Sequence, residues 1–205
     1  AAYTGASQWI TGEEARRHVH TQRSRFRSIM VGVDTVLADD PQLTCRIEGG
    51  RNPLRIICDS HLRTPLSAKV VQTAKEVPTY LATCVTQELR LAPYRDLGCN
   101  ILPVPERSGH VDLDALMTLL GKMGVDSVLL EGGATLHWAA VEAGLVHKVQ
   151  AYIAPKILGG KTAKSPVGGQ GFAHPDQALS LKSPALTRLG QDILIESEVE
   201  SEVTP

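Results

Sequence analysis

The chain has 205 residues and a formal net charge of −1, with 42% hydrophobic and 21% charged residues. This composition is typical of a globular protein with one domain or two small ones, and it excludes disordered, collagen-like and coiled-coil proteins. The near-neutral charge argues against binding to nucleic acid or to a membrane surface through bulk electrostatics. No apolar run reaches the roughly 18 residues of a membrane-spanning helix, and no signal-peptide pattern opens the sequence.

The first half of the chain predicts a helix followed mainly by strands. Ala15, Val19 and Phe26 recur at helical spacing and predict a helix over residues 12–25. Short apolar runs predict strands at 28–33, 54–59, 79–84 and 100–104, with a short helix at 87–97 before the last strand. The segment between the first two strands ends at Pro41, which stops any helix there.

The second half begins with the clearest amphipathic pattern in the chain. The apolar residues that predict this helix are Leu113, Leu116, Leu119, Leu120 and Met123. A strand at 127–130, a helix at 135–143 and a strand at 146–154 follow. Residues 155–175 are rich in glycine and proline and predict a long loop, and strands at 185–189 and 192–199 predict a closing hairpin.

This order of elements indicates an α/β fold. Strands that alternate with helices, followed by a hairpin, predict a mixed sheet flanked by helices and closed by a C-terminal antiparallel hairpin. We find no internal repeat and no linker, so we expect a single domain over residues 1–205.

The cysteines and histidines do not form a recognisable metal site. Cys45, Cys58, Cys84 and Cys99 include no CxxC pair. Cys58 and Cys84 lie in apolar runs, which favours buried, reduced thiols and a cytoplasmic protein. The seven histidines are scattered and match no zinc motif, so we expect no metal.

The sequence Glu131-Gly132-Gly133 lies between an apolar strand and a helix. Glycines at this place let the backbone approach a ligand closely, and a helix N-terminus offers free N–H groups to a phosphate. A plain tight turn is the alternative interpretation. Glu131 is a candidate ligand-binding residue because ligands bind at the carboxyl ends of strands in such sheets.

Arginine dominates the basic residues of the N-terminal third. Arg16, His20, Arg23 and Arg27 share one face of the first predicted helix, and a planar guanidinium suits phosphate well. The face is either a phosphate-binding stripe or an ordinary solvated helix surface. Trp9 is either a lid on the core or a stacking surface for a flat ligand ring. The residues alone therefore indicate an α/β domain with a candidate phosphorylated ligand.

Several segments together resemble the reductase domain of the bacterial bifunctional riboflavin-biosynthesis deaminase/reductase. They are residues 5–11 (GASQWIT), 30–41 (MVGVDTVLADDP), 43–44 (LT), 57–60 (ICDS), 130–136 (LEGGATL) and 152–159 (YIAPKILG). Their order and spacing fit over essentially the whole chain, and TVLADDP together with EGGxTL is a specific combination.

The resemblance implies a dihydrofolate-reductase-like fold, a homodimer and NADPH as the cofactor. The implied reaction reduces the ribosyl group of 5-amino-6-(5-phosphoribosylamino)uracil to a ribityl chain. A hydride from the nicotinamide C4 reaches C1′ of the opened sugar, so the protein must position these two atoms and neutralise the phosphate.

The same resemblance implies a set of site residues. Those implied to contact NADPH are Trp9, Thr35, Asp39, Ser60, Gly132, Gly133, Ala134, Thr135 and Leu136. Those implied to face the substrate are Ser7, Arg23, Leu43, Arg46 and Glu131. Arg23 and Arg46 are candidates for the substrate's phosphate, and Glu131 and Asp39 are the candidate catalytic residues.

Two parts of the family's pattern are absent from the sequence. The deaminase domain with its zinc-binding HxE and PCxxC signature is missing, so we expect no zinc deamination. The family's first reductase strand, which carries a lysine and an Asp-Gly signature, would precede Ala1. Two alternatives follow: a reductase of the same fold that acts on a related pyrimidine or a pterin, or a non-catalytic binding or dimerisation module left by loss of that strand. Arg23 and Arg46 favour a phosphorylated substrate over a pterin.

Overall fold

The computed structural model describes residues 2–6 and 8–200, and the chain divides into two compact units. The middle unit is His20–Leu136, and the end unit contains the residues up to Val19 together with those from His137 onward. The helices are α1 (Glu13–Arg25), α2 (Val33–Asp39), α3 (Lys69–Gln72), α4 (Glu88–Asp96), α5 (Leu113–Lys122) and α6 (Ala134–Glu142). The strands are β1 (Ser28–Gly32), β2 (Leu54–Cys58), β3 (Thr79–Thr83), β4 (Asn100–Pro103), β5 (Glu106–Arg107), β6 (His110–Val111), β7 (Val128–Leu130), β8 (Lys148–Ile153), β9 (Ala185–Leu189) and β10 (Asp192–Glu198).

The middle unit contains a five-stranded parallel sheet in the order β4-β3-β2-β1-β7. Met30 of β1 pairs with Ile56 of β2 on one side and with Leu130 of β7 on the other. Residues 28–31 are all buried, which is the continuous pattern of a strand covered on both faces of a parallel sheet. The strand predicted from the apolar run at 28–33 is therefore an interior strand of this sheet, and it ends at Gly32.

The apolar core of the middle unit packs β1, β2 and β3 against short helices. Ile57 and Leu81 are fully buried in a cluster that also contains Val70 of α3 and Leu91 of α4. On α5, Leu116 and Leu120 are buried at a spacing of four residues, as the amphipathic pattern predicts.

The strand order of this sheet changes direction at β1. From β1 the chain adds β2, β3 and β4 outward on one side, and it then places β7 on the other side of β1. In open α/β sheets such a switch point opens a crevice at the carboxyl ends of the two diverging strands, and ligands bind there. The carboxyl ends of β1 and β7 are therefore the expected position of a ligand-binding site.

The end unit contains a three-stranded antiparallel sheet in the order β8-β10-β9. Leu194 in its central strand is fully buried. The carboxylate of Asp192 accepts a hydrogen bond of 2.6 Å from the backbone N–H of Gly12, the residue before α1. The predicted hairpin is confirmed. Among the described residues, the predicted loop at 155–175 contains no helix or strand, and a short 3₁₀ turn at Pro175–Gln177 begins at its end.

The predicted α/β class is confirmed, and the parallel and antiparallel pairings that the sequence analysis combined in a mixed sheet lie in separate sheets. The sequence analysis missed α2, α3 and the short hairpin β5–β6. At α2 it identified only the stop: the helix ends at Asp39, and Asp40 (φ 39°) precedes Pro41 in a left-handed conformation. A helix of seven residues spans only about two turns, which is too few for a clear amphipathic pattern.

Arg55 of β2 is a fully buried cation that bonds only to neutral acceptors among the described residues. Its Nε donates to Thr79 Oγ1 (2.9 Å), and its Nη1 donates to Gln42 O (3.1 Å) and Thr73 Oγ1 (2.9 Å). Its Nη2 donates to Thr73 O (3.0 Å) and Val77 O (2.7 Å). Burial lowers the pKa of Arg55 to about 10, so the side chain stays charged at neutral pH. One guanidinium thereby ties β2 to the chain that follows α3.

We predict that Arg55→Met lowers the free energy of unfolding by at least about 2 kcal/mol, because it leaves buried carbonyl and hydroxyl oxygens without donors. Urea unfolding followed by circular dichroism measures the change. The matched control is Arg95→Gln, which removes an exposed ion pair with Glu88 and should cost less than about 0.5 kcal/mol. Equal effects of the two substitutions would contradict the role given to Arg55.

Candidate active site at the carboxyl ends of two parallel strands

Glu131 follows β7 at the switch point of the parallel sheet. Its backbone N–H donates to the carbonyl of Met30 in β1 at 2.9 Å, which continues the strand pairing to the very end of β7. β1 ends at Gly32 and β7 at Leu130, so α2 and α6 both begin close to this edge of the sheet. The sequence therefore brings a carboxylate, three glycines and two helix starts to one edge.

Gly132 and Gly133 form a cradle that only glycine fits. Both have positive φ angles, 77° and 93°, which side chains strongly disfavour. A Cβ atom on Gly132 would lie 3.3 Å from both Oγ1 and Cγ2 of Thr35, and one on Gly133 would lie 3.6 Å from the backbone nitrogen of Gly32. The cradle leads directly into α6, whose first backbone N–H groups have no partner within the helix and attract anions. These features fit a phosphate group of a dinucleotide.

Arg23 of α1 and Glu131 form a bidentate ion pair beside the cradle. Nε of Arg23 donates to Oε1 of Glu131 at 2.9 Å, and Nη2 donates to Oε2 at 2.6 Å. The two side chains are only 15% and 23% exposed, so the pair is partly desolvated. Nη1 also donates to the carbonyl of Thr44 at 3.0 Å. Among the described residues these bonds use three of the five N–H groups of Arg23, which leaves two for a ligand.

His20 lies next to this pair and contacts the second candidate arginine. The backbone N–H of Arg46 lies 3.3 Å from Nδ1 of His20, and Nε of Arg46 lies 3.3 Å from Nε2. A neutral imidazole accepts at one nitrogen at a time, so one of these contacts is a hydrogen bond in each tautomer. Burial lowers the pKa of His20 below its usual 6.5, and the charges of Arg23 and Arg46 lower it further. The lowered pKa favours the neutral form of His20.

The sequence analysis noted His20 only as part of an arginine-rich helix face and did not include it among the site residues. The available signal was its position three residues before Arg23, which places both on one side of α1. Arg16 of the same predicted face belongs to the end unit, where its Nη1 donates to the carbonyl of Thr11 at 2.7 Å.

The structure brings most of the predicted cofactor residues of the middle unit to this edge. Thr35 packs on Gly132, and α6 begins with Ala134, Thr135 and Leu136 directly after the cradle. Ser60 follows β2, the next strand of the sheet, and its hydroxyl accepts a hydrogen bond of 2.9 Å from the backbone N–H of Val111.

Two predicted site residues do not present a side chain at this strand end. Asp39 is exposed at the C-terminal end of α2, away from the strand end where that helix begins. Leu43 has a φ of 53° and its side chain is 3% exposed within the apolar core, although the next residue, Thr44, bonds to Arg23. The side chain of Leu43 is thus a packing residue, and only its backbone lies close to Arg23.

The remaining predicted contacts belong to the end unit. Trp9 is 60% exposed; the guanidinium of Arg16 lies 4.7 Å from the centre of its ring, and Nζ of Lys156 donates to its carbonyl at 3.0 Å. Ser7, predicted to face the substrate, lies outside the described residues.

No cluster of metal-ligating side chains occurs within residues 2–6 and 8–200. None of the helices formed by these residues has the length and apolar character needed to cross a membrane. The four cysteines are all free. Burial raises the pKa of Cys58 to about 12 and that of Cys99 to about 11, so neither thiol is ionised at neutral pH.

The fold and the site define an α/β protein with a glycine cradle and a partly buried arginine–carboxylate pair at a topological switch point. The chain belongs to the RibD C-terminal domain family, whose model matches residues 1–195. This confirms the family resemblance inferred from the sequence, together with the dihydrofolate-reductase-like fold.

Individual relatives agree with this assignment. The chain is 48% identical over 201 residues to the riboflavin biosynthesis protein RibD of Actinobacillus pleuropneumoniae, covering 98% of this chain and 54% of that protein. It is 37% identical over 203 residues to the 2,5-diamino-6-ribosylamino-4(3H)-pyrimidinone 5′-phosphate reductase of Methanothermobacter thermautotrophicus, covering 98% and 92%. A solved structure of Acinetobacter baumannii RibD, form 2, superposes with a TM-score of 0.81 at 30% identity, covering 98% of this chain and 54% of that one. The chain therefore spans about half the length of these two RibD proteins and nearly all of the reductase from Methanothermobacter.

We predict that the pKa of His20, measured by NMR titration of its ring protons, lies below 6.5 and that Arg46→Gln raises it by removing a nearby positive charge. Since the folded pKa is depressed, the unfolded chain binds this proton more readily. The contribution of His20 to stability is therefore present above pH 6.5 and lost as the pH falls through the folded value. A pKa that Arg46→Gln leaves unchanged would contradict the assigned contact.

Proposed function

We propose that the chain is a reductase of riboflavin biosynthesis that uses NADPH. Its proposed reaction converts the ribosyl group of 5-amino-6-(5-phosphoribosylamino)uracil to the ribitylamino product. The observation that carries the proposal is the Arg23–Glu131 pair beside the cradle of Gly132 and Gly133. Glu131 and the cradle follow each other directly after β7, which supports a phosphate-binding loop beside a polar group for the substrate. Relatives of the chain include proteins named as ribosylaminopyrimidinone phosphate reductases. We further propose that the whole chain acts as one reductase domain.

The cradle and the start of α6 would hold the pyrophosphate of NADPH. The backbone N–H groups there would bind its oxygens, and the hydroxyl of Thr35 borders the same space. Trp9, Asp39 and Ser60 remain the further proposed cofactor contacts. When bound, the cofactor supplies the hydride that C1′ of the opened sugar accepts.

The charged groups around Glu131 would bind the substrate. Arg23 keeps two unused N–H groups and Arg46 is exposed, so these two side chains would neutralise the substrate's phosphate. Ser7 and the backbone of Leu43 are the other proposed substrate contacts.

Glu131 would act as an acceptor for a sugar hydroxyl or a pyrimidine N–H. Both of its oxygens already accept from Arg23, which is the arrangement of an ionised carboxylate. In this role it orients the sugar, while the proton that completes the reduction would come from solvent or from Asp39, the second candidate catalytic residue.

The second candidate substrate is a 2,5-diaminopyrimidinone ribosylamine phosphate. The relative from Methanothermobacter, of which this chain covers 92%, and one from Aquifex aeolicus are named for 2,5-diamino-6-ribosylamino-4(3H)-pyrimidinone 5′-phosphate. Since Arg23 and Arg46 would contact the phosphate that both substrates share, these residues do not separate the two. A non-catalytic module is the remaining alternative, and absence of turnover on either substrate would support it.

We predict that the chain oxidises NADPH in the presence of the uracil substrate. The loss of nicotinamide absorbance measures this reaction. Glu131→Gln should lower kcat/KM about 100-fold or more, because the substrate loses a positioning group and Arg23 loses its partner. Arg46→Gln should mainly raise KM for the phosphorylated substrate, by about 10-fold, since it removes a contact made equally in the ground and transition states.

The control variant is Arg95→Gln, which lies in α4 and should leave both constants unchanged. Turnover of the diaminopyrimidine substrate alone would favour the second candidate. Turnover of neither substrate by a chain that binds NADPH would overturn the proposed reaction.

We also propose that the chain forms a homodimer in the cytoplasm. The four free cysteines are consistent with a reducing compartment. In the end unit, Ile193 pairs with Ile153, and with Leu186 these side chains lie on one face of the antiparallel sheet, each 46–69% exposed. An exposed apolar face of this kind marks an interaction surface.

We predict that sedimentation analysis finds a dimer and that Ile193→Glu converts it to a monomer, because the new charge would be buried in the contact. Ile157→Glu is the matched control, since Ile157 is fully exposed in the glycine-rich loop and outside this sheet. A dimer that survives Ile193→Glu would show that another surface is used.

A further inference from the structure

The loop that follows β2 presents an arginine at the same edge of the sheet as the glycine cradle. Leu62 adopts a φ of 58° and buries its side chain in the apolar core, which anchors the loop. The next residue, Arg63, is about half exposed, and its Nη2 donates to Oδ1 of Asp34 in the first turn of α2 at 2.8 Å. The guanidinium is thereby held between the end of β2 and the start of α2.

Asp59, the acid at this strand end, is buried and its oxygens are hydrogen-bonded within the chain. Asp59 is fully buried: its Oδ1 accepts from the backbone N–H of Arg63 at 2.8 Å, and its Oδ2 accepts from the N–H and the hydroxyl of Thr64, both at 2.7 Å. In dinucleotide-binding sheets an available acid near the second strand binds the ribose 2′-hydroxyl of NAD, whereas an arginine nearby accommodates the 2′-phosphate of NADP. Asp59 is buried and hydrogen-bonded within the chain, whereas Arg63 is about half exposed. This strand end therefore has the arrangement that accommodates the 2′-phosphate of NADP.

A short series of contacts connects the cradle with Arg63. Gly132 lies against Thr35, whose chain neighbour Asp34 pairs with Arg63. The strands concerned, β7, β1 and β2, are neighbours in the sheet, so the two ends of this series are about 10 Å apart across it. A dinucleotide with its pyrophosphate on the cradle can therefore extend its adenosine ribose toward the end of β2.

Arg63 has unused hydrogen-bond donors that could bind a phosphate. Among the described residues its guanidinium makes one hydrogen bond, to Asp34, so four of its five N–H groups are available. Arg90 donates to the carbonyl of His61 at 2.7 Å and adds a second positive charge beside the loop. A planar guanidinium binds phosphate oxygens in a bidentate manner, which a ribose hydroxyl cannot match.

We propose that Arg63 binds the 2′-phosphate of the cofactor and is the residue that selects NADPH over NADH. The inference rests on the proposed function and deepens it, since Arg63 is not among the cofactor residues that the family resemblance implies. Asp34 acts as a positioning residue that holds the guanidinium over the end of β2.

Isothermal titration calorimetry tests the inference without turnover. The ligands are NADPH, NADH, 2′,5′-ADP and 5′-AMP, titrated into the wild-type chain and into Arg63→Gln, Arg63→Lys and Arg95→Gln. Arg63→Gln should weaken binding of NADPH and 2′,5′-ADP by about 10–100-fold and change that of NADH and 5′-AMP less than about twofold. Arg63→Lys should recover part of the loss because it keeps the charge but not the planar fork.

Arg95→Gln is the matched control, because its ion pair has nearly the same exposure, 44% and 67%, as the 49% and 71% of Arg63 and Asp34. Unchanged NADH affinity also shows that the Arg63 variant is folded. Equal weakening of NADPH and NADH, or no weakening of either, would overturn the inference while leaving the proposed function intact. A wild-type chain that binds none of the four ligands would instead overturn the proposed function together with this inference.

Discussion

The pairing of β7 beside β1 is the constraint on which the rest of the site depends. Residues 28–30 pair with residues 128–130, and this register sets Glu131 against Met30 and places Gly133 close to Gly32. A shift of one residue would turn the side chains of β7 to the opposite face and move Glu131 away from Arg23. β1 is buried on both faces and the residues of β7 that pair with it are apolar, so the geometry of the polar groups at the strand ends rests on a packed apolar framework.

The charges at this edge are only partly neutralised by one another. Glu131 neutralises Arg23 while leaving some of its donors unused, and neutral His20 contacts Arg46 without adding charge. Two guanidinium groups and one carboxylate leave one net positive charge, which is suited to an incoming phosphate without leaving a buried, unpaired ion. At the end of β2, Arg63 also pairs with a carboxylate, that of Asp34.

The sequence predicted those features that depend on neighbouring residues. The interior strand at 28–32 and helix α5 were evident because apolar residues recur at the periods of strands and helices, and the Gly132–Gly133 turn was evident because glycine marks unusual backbone. The pairing of Arg23 with Glu131 could not be predicted from spacing, because 108 residues separate the two. The resemblance placed both residues at the substrate but not against each other, and it placed Leu43 there although that side chain belongs to the core. Periodicity is a local signal, whereas these contacts depend on the order of strands in the sheet.

The buried guanidinium of Arg55 has a consequence for tolerance to acid. An arginine held by carboxylates loses its partners when those groups take up protons, and such pairs are a common cause of acid unfolding. Every acceptor of Arg55 is a carbonyl or a hydroxyl oxygen, and these do not titrate in the acidic range. The link between β2 and the segment after α3 therefore persists at pH values that protonate the surface carboxylates. In acid, the ion pairs at the strand ends should open while the sheet beneath them keeps its architecture.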